Sequence, residues 1–285
     1  MNLAEIKQYS VLMRLNKPIG IFLVLWPTLW ALWLAGAGKP DKVVVWVFVL
    51  GCIVMRSAGC VINDIADCRF DGFVARTRYR PLPTAKISVQ SALILFFSLL
   101  LCALILVLFL NKLTLWFAMI GALLASGYPF LKRFTHLPQV GLGVAFSWGV
   151  PMVFVALTGA VSPQGWLVFF TAFLWPIMYD TLYAMVDRAD DIKIGIKSTA
   201  ILFGKADKVM VGCLQVFFLL MLGLLGHVFK LNLVYYFSLA GVGILFVYQQ
   251  ILIKDNVPEN CFKAFLNNNW VGGIIFLGIM LSYLC

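Results

Sequence analysis

The sequence predicts an all-α membrane protein: nine transmembrane helices in one bundle with a cytoplasmic cap. Of the 285 residues, 62% are apolar and only 12% are charged, about half the charged fraction of a soluble domain. The apolar residues form runs of roughly 20 residues, the length that a helix needs to cross a bilayer. These runs are continuous rather than alternating, which disfavours a membrane β-barrel.

Nine such runs follow one another along the chain, and only short connections lie between them. We therefore expect residues 1–285 to form a single transmembrane domain. The polar and amphipathic segment before the first run lacks the pattern of a cleaved signal, so we expect an interfacial helix there. The predicted spans are residues 19–38, 43–62, 88–110, 113–130, 140–160, 165–185, 209–229, 232–252 and 269–284.

The distribution of Lys and Arg predicts the orientation in the membrane. Connections on the N-terminal side carry 17 of the 22 basic residues, the opposite connections carry four, and Arg56 lies inside the second span. Because basic residues favour the cytoplasmic side, we expect a bacterial inner-membrane protein with a cytoplasmic N-terminus and a periplasmic C-terminus. No basic stripe interleaved with aromatic residues lies in a polar region, so no nucleic-acid partner is expected.

Seven of the 12 acidic residues lie in, or shortly before, two clusters near the ends of spans two and six. The first cluster reads Asn63-Asp64-Ile65-Ala66-Asp67-Cys68-Arg69-Phe70-Asp71. The second reads Asp187-Arg188-Ala189-Asp190-Asp191, and Asp180 precedes it. If span two continues as a helix, its cluster presents four side chains on one face: Asn63, Asp64, Asp67 and Asp71. In span six, Asp180, Asp187 and Asp191 share a face.

Oxygen ligands on two helix faces at the same side of the membrane suit Mg²⁺, which proteins hold by one or two carboxylates and by phosphate oxygens of a substrate. Histidine is nearly absent, which argues against a zinc or iron site. The alternative is a solvated network in which these acids pair with Arg69, Arg76, Arg188 and Lys193. The predicted metal ligands are Asn63, Asp64, Asp67, Asp71, Asp187 and Asp191.

Several cations near the clusters are candidates for substrate binding. Arg56 lies inside span two, where an arginine is costly and normally faces the protein interior or a cavity. It could bind a carboxylate through two parallel hydrogen bonds, or pair internally with Asp180 or another cluster acid. The other candidates would bind phosphate oxygens, or would be ordinary interfacial anchors: Tyr128, Lys132, Arg133, Lys193 and Lys197.

Seven strings of residues, spread over nearly the whole chain, match a known family. They are Arg14-Leu15-Asn16-Lys17-Pro18-Ile19-Gly20, Leu25-Trp26-Pro27-Thr28-Leu29-Trp30, Met55-Arg56-Ser57-Ala58-Gly59-Cys60 leading into the first cluster, Arg80-Pro81-Leu82-Pro83, Tyr128-Pro129-Phe130-Leu131-Lys132-Arg133, residues 183–199 and Phe262-Lys263-Ala264-Phe265. In these strings the chain resembles the UbiA-type intramembrane aromatic prenyltransferases. The longer strings favour the branch of the family that uses 4-hydroxybenzoate.

The resemblance implies a Mg²⁺-dependent transfer of a polyprenyl group from a polyprenyl diphosphate to 4-hydroxybenzoate, at the ring carbon ortho to the hydroxyl. It also implies a nine-helix bundle with a lateral opening to lipid. One metal side would consist of Asn63, Asp67 and Asp71, and the other of Asp187 and Asp191. Tyr128 and Lys132 would lie near the diphosphate, and Arg56 near the aromatic acid.

Two carboxylates are expected to be catalytic, Asp191 as the acceptor of the ring proton and Asp71. Two other functions stay open. The first is transfer to another aromatic acceptor within the same family. The second is an ion-coupled membrane transporter, which would require acids near the membrane midplane and a path open to both faces.

Overall fold

The computed structural model describes residues 3–69, 71–74 and 76–284. In these ranges the regular structure is helical throughout, and short 3₁₀ turns supplement the α-helices. The α-helices are α1 (Leu3–Leu12), α2 (Ile19–Ala35), α3 (Lys42–Asp67), α4 (Val89–Val107), α5 (Lys112–Gly127), α6 (Pro138–Ser147), α7 (Gly149–Thr158), α8 (Pro163–Ile194), α9 (Thr199–Phe203), α10 (Asp207–Val228), α11 (Leu233–Ile253) and α12 (Pro258–Ser282).

The predicted all-α membrane fold is confirmed. Within the described part of the chain, eight helical segments are long and apolar enough to cross a membrane, and α2 is a shorter apolar helix. The count of nine spans and the cytoplasmic cap stay predictions. The predicted interfacial segment at the start of the chain contains α1, which is separated from α2 by a polar turn.

The span predicted over residues 140–160 corresponds to one apolar helical segment, Pro138–Thr158, which is divided into α6 and α7 at Trp148. Pro151 lies in the first turn of α7. A proline ring clashes with the carbonyl four residues earlier and removes a helical hydrogen bond. That carbonyl belongs to Ser147, where α6 ends.

Helix α8 is longer than its apolar run and carries Asp180 together with the three acids of the second cluster. It begins at a cap in which Ser162 Oγ accepts the backbone N–H of Gly165, and it ends where Gly195 adopts a left-handed conformation with φ of 74°. The helix therefore continues well past the end of the predicted span and holds Asp180, Asp187 and Asp191 on one rigid element.

Three consecutive asparagines of α12 join this helix to three neighbours. Asn267 accepts a hydrogen bond from Gln249 of α11, Asn268 from Trp175 of α8, and Asn269 from Trp26 of α2. Side-chain hydrogen bonds between helices are favourable where water is absent. Helix α12 begins at Pro258, a residue type that favours the first helical position, well before the predicted start at residue 269.

Candidate active site

A cavity of about 470 Å³ lies where α3 and α8 end, and side chains from α2, α6 and α12 complete its walls. Both aspartate clusters contribute to it, so two parts of the chain that are distant in sequence meet at one place. Ten of the twelve predicted site residues line this cavity: Arg56, Asn63, Asp64, Asp67, Asp71, Tyr128, Lys132, Asp187, Asp191 and Lys197.

At the end of α3, Asn63 and Asp67 lie one helical turn apart. The Asn63 amide donates to Asp67 Oδ2 at 3.3 Å, and Lys132 forms an ion pair with the same oxygen. The second oxygen, Asp67 Oδ1, is buried and has no hydrogen-bond partner within the described part of the chain. An unpaired buried carboxylate oxygen is costly, so this position has an unmet need for a cation or a donor.

The prediction that Asp71 shares a helical face with the other acids of its cluster is wrong, because α3 ends at Asp67 and Asp71 begins a 3₁₀ turn. Arg80 brings the acids together instead. Its Nη1 lies 2.7 Å from Asp71 Oδ2 and 3.1 Å from Asp64 Oδ1, and Arg14 Nη2 lies 2.6 Å from that Asp64 oxygen. Two guanidinium groups therefore compensate Asp64.

Burial raises the pKa of the Asp71 carboxyl above its usual range, although Arg80 opposes the shift. The nearby carboxylates Asp67 and Asp64 raise this pKa further, because like charges disfavour ionisation. Closely spaced acids of this kind are better accommodated when a cation joins them.

On the α8 side, Arg76 binds both carboxylate oxygens of Asp187. Its Nε lies 3.0 Å from Oδ1 and its Nη2 lies 2.5 Å from Oδ2. The guanidinium carbon lies 4.6 Å from the centre of the Tyr183 ring. This contact links the polar connection after α3 to α8 across the cavity. For Asp191, no hydrogen bond or ion pair is found within residues 3–69, 71–74 and 76–284.

The alternative of a solvated ion-pair network is only partly realised. Arg76 pairs with Asp187 and Lys193 with Asp190, as this alternative expects, but Arg188 pairs with Asp207, which lies outside the clusters. The first-cluster acids are not solvated, since Asp64, Asp67 and Asp71 are only 2%, 4% and 5% exposed.

Arg56 lies about three helical turns before the end of α3. We call the end of the cavity at Arg56 its inner end, and the end that contains the two aspartate clusters its outer end. Its Nη1 donates to Cys60 Sγ at 2.9 Å, and its guanidinium carbon lies 5.6 Å from the centre of the Phe146 ring. Its Nε is buried without a partner in the described part of the chain. The alternative of an internal pair with a cluster acid is wrong for the described residues, because these contacts include no carboxylate.

Two predicted residues do not line the cavity. Arg133 directs its guanidinium to the carbonyl oxygen of Ala66, and the Lys193 side chain is 72% exposed beside Asp190. Lys197 lines it through the segment after α8, whose position is fixed by a hydrogen bond from the Lys197 backbone N–H to the Lys132 carbonyl at 3.1 Å. The substrate roles of all three stay predictions.

Sequence reasoning left several cavity residues without a role. Asp180 shares a helical face with acids of the second cluster, but the sequence pattern gives it no catalytic or binding role. Arg14 and Arg80 are indicated only by the family strings that contain them. Nothing in the linear pattern singled out the rest: Gln139, Phe146 and Tyr179.

The oxygen donors of the cavity fit a divalent cation that is shared with a substrate. Within the described residues, no three His, Cys, Asp or Glu side chains are grouped to hold a metal by themselves. Mg²⁺ commonly takes one or two carboxylates and completes its shell with water and phosphate oxygens. The unpartnered oxygen of Asp67 and the carboxylate of Asp191 supply that kind of partial ligand set.

Comparison with known proteins decides the family. Residues 24–276 match the UbiA prenyltransferase family. The chain belongs to this family. A relative from Coxiella burnetii, 4-hydroxybenzoate octaprenyltransferase, is 55% identical over 98% of this chain and 97% of its own length. A protein of the same name from Aliivibrio fischeri is 54% identical over the full length of both chains.

Solved structures of the family share the fold. A UbiA homologue from Aeropyrum pernix superposes with a TM-score of 0.81 at 23% identity, over 92% of this chain and 97% of that one. A homologue from Archaeoglobus fulgidus bound to GPP and Mg²⁺ has a TM-score of 0.69 at 14% identity, over 98% and 100% of the two chains. The family match over residues 24–276 and the 54–55% identical relatives confirm the membership predicted from the residue strings.

Proposed function

We propose that this protein transfers a polyprenyl group from a polyprenyl diphosphate to the ring carbon ortho to the hydroxyl of 4-hydroxybenzoate. The observation that carries the proposal is one cavity with acids from α3 and α8 at its outer end and an unpaired arginine at its inner end. Relatives that are 54–55% identical over nearly the full chain are named for this activity with an octaprenyl donor.

The outer end of the cavity would hold the diphosphate. Lys132, Arg76 and Arg80 already lie there against carboxylates, and they can exchange those partners for phosphate oxygens. Mg²⁺ would be held by Asn63 and Asp67 from α3 and by Asp187 and Asp191 from α8. When bound, this ion supplies positive charge that stabilises the departing diphosphate.

The inner end would hold the aromatic acid. Arg56 presents a guanidinium with a buried, unpartnered Nε beside the Phe146 ring. A guanidinium binds a carboxylate through two parallel hydrogen bonds, which fixes the plane of the acid as well as its position. Arg56 would therefore orient the ring so that its ortho carbon faces the donor.

A second, apolar cavity of about 220 Å³ adjoins the first, and Phe146 lines both of them. Its walls come from α2 to α7 and are almost entirely aliphatic or aromatic. The polyprenyl chain would extend into this space, and apolar walls protect an allylic cation from water. The acids would face the cytoplasm, where 4-hydroxybenzoate is available.

The direct test is turnover by the purified, membrane-reconstituted protein. With 4-hydroxybenzoate, a polyprenyl diphosphate and Mg²⁺, mass spectrometry of the lipid extract should detect 3-polyprenyl-4-hydroxybenzoate. EDTA should stop the reaction and excess Mg²⁺ should restore it. The matched controls are Asp187→Asn in the cavity, which should be inactive, and Asp255→Asn at an exposed site, which should be fully active.

Two results would contradict the proposal. One is product only with a different aromatic acceptor, which would keep the family chemistry and change the substrate. The other is ion flux in liposomes with no prenylated product from any acceptor.

A further inference from the structure

Asp180 is a further carboxylate of the cavity that contains Arg56, and it is not one of the predicted metal ligands. It belongs to α8, seven residues before Asp187 in the chain. No ion pair to Asp180 is found among the described residues. Its polar contact is to Gln139, whose Nε2 donates to Asp180 Oδ2 at 3.2 Å.

Gln139 fixes the direction of the Asp180 carboxylate. The Oε1 of Gln139 accepts the backbone N–H of Thr199 at 3.0 Å. An amide oxygen that accepts a backbone N–H must turn its NH₂ group the other way, so the Gln139 amide donates to Asp180. One carboxylate oxygen is thereby oriented, and the other has no hydrogen bond among the described residues and borders the cavity.

Asp180 and Arg56 lie at matched depths below the two aspartate clusters. Arg56 precedes Asp67 by 11 positions in α3, and Asp180 precedes Asp191 by 11 positions in α8. At the rise of a helix, each separation is about 16 Å along the axis. The inner end thus offers one cation and one carboxylate, about two to three turns away from the residues that would hold the metal.

We propose that Asp180 is the general base that accepts the hydroxyl proton of the acceptor. This inference rests on the function proposed above. An aromatic acid with a hydroxyl opposite its carboxylate matches the inner end, with the carboxylate on Arg56 and the hydroxyl on Asp180. Asp191, which the sequence predicts as the acceptor of the ring proton, lies about 16 Å along α8 from Asp180, on the diphosphate side.

Every proton and electron pair that moves in the proposed reaction has a donor and an acceptor. The hydroxyl proton passes to Asp180 while ring electrons form the bond between the ortho carbon and the prenyl carbon. The ester C–O bond breaks, and its electron pair leaves with the diphosphate. The resulting dienone loses its ortho hydrogen as a proton to a diphosphate oxygen. Asp180 returns its proton to the ring oxygen, which restores the phenol and the free carboxylate.

The test compares Asp180→Asn with wild type on two acceptors, 4-hydroxybenzoate and 3-fluoro-4-hydroxybenzoate, whose phenol is more acidic. We expect Asp180→Asn to lower kcat for 4-hydroxybenzoate by roughly 10²- to 10⁴-fold, the usual contribution of a general base. The loss should be clearly smaller with the fluorinated acceptor, because a more acidic phenol needs less help. The KM for the acceptor should change less than about threefold, since binding rests on Arg56.

Two further variants keep the test decisive. Asp180→Glu retains a carboxylate and should recover part of kcat. Asp190→Asn changes a half-buried acid of the same helix that does not line the cavity, and it should match wild type. A kcat within about threefold of wild type for Asp180→Asn, or an equal loss with both acceptors, would overturn the inference and leave the proposed function intact. Absence of product from wild type with either acceptor would overturn both.

Discussion

The two ends of the cavity differ in how their charges are compensated. At the outer end, Asp64, Asp71 and Asp187 are each bound by one or more guanidinium groups, and Lys132 pairs with Asp67. At the inner end, Arg56 and Asp180 have no ion pair among the described residues, although they lie in the same cavity.

Because their charges are compensated differently, the two ends of the cavity favour different kinds of ligand. A paired outer end can fold without substrate, and a diphosphate with its cation would replace existing partners there. An unpaired inner end leaves charged groups under-satisfied, and such groups favour a ligand that brings complementary charge. The outer end therefore suits an exchangeable, highly charged group, and the inner end suits a small molecule with fixed spacing.

Apart from the loss expected for Asp180→Asn, the strongest effect is expected at the outer end. Asp67→Asn keeps the size of the side chain but replaces the carboxylate, which pairs with Lys132 and would bind Mg²⁺ through its buried Oδ1, by a neutral amide. We expect kcat to fall roughly 10²- to 10³-fold or more, as for other groups that stabilise developing charge. The measurement is product formation under saturating substrates, with thermal unfolding as the folding control. Retained activity would remove Asp67 from the proposed metal site.

At the inner end, Arg56→Gln should act on the acceptor alone. Loss of a charged, two-pronged hydrogen bond corresponds to about 1.5–3 kcal/mol, so the KM for 4-hydroxybenzoate should rise roughly 10- to 100-fold. The KM for the prenyl diphosphate should stay unchanged, because Arg56 lies about 16 Å along α3 from Asp67. Equal increases in both KM values would contradict the separation of the two ends.

A substitution at Gly20, beside Arg56, should have a smaller effect on the acceptor KM than the loss of Arg56 itself. A Cβ atom at Gly20 would lie 2.5 Å from Arg56 Nε, so Gly20→Ala should displace the guanidinium without removing it. Because the displaced atoms are the end of a flexible side chain, we expect the fold to be kept and the acceptor KM to rise about tenfold. Gly59→Ala is the matched control, since nothing lies within 4 Å of its Cβ position. Identical kinetics for the two variants would argue that the position of Arg56 is unimportant.

The smallest effect is expected outside the cavity. Lys193 was predicted from the sequence to bind substrate, but its side chain is largely exposed and pairs with Asp190. From the geometry, Lys193→Gln should change kcat and both KM values less than about threefold, as is usual for an exposed ion pair. Steady-state kinetics decide between the two views, and a tenfold loss would restore the prediction from the sequence.

Hydropathy predicts the apolar parts of the helices well. It underestimates the length of a helix that continues with polar residues. The end of α8 with Asp187 and Asp191 and the start of α12 before Asn267 are polar, so their runs looked shorter than the helices are. Those helices continue because neighbouring elements satisfy their polar side chains. The division at Trp148 depends on where Pro151 meets the preceding turn, which a composition window does not register.

The sequence predicts which types of residue form the candidate site. It does not predict which of them form ion pairs or hydrogen bonds with one another. Acids on one membrane side and an intramembrane arginine were visible in the sequence. The pairing of Arg80 with both Asp64 and Asp71 required the turn after α3, and the orientation of Asp180 required a glutamine from α6 and the start of α9. Such contacts join distant parts of the chain, so local patterns cannot specify them.

The central claim is that acids from α3 and from α8 hold one magnesium-bound diphosphate between them. Calorimetric titration of wild type, Asp67→Asn and Asp187→Asn with a non-reactive prenyl thiolodiphosphate, with and without Mg²⁺, tests it most directly. We predict Mg²⁺-dependent binding to wild type and a comparable loss of that dependence in each variant. Undiminished Mg²⁺-dependent binding to either variant would contradict a shared site.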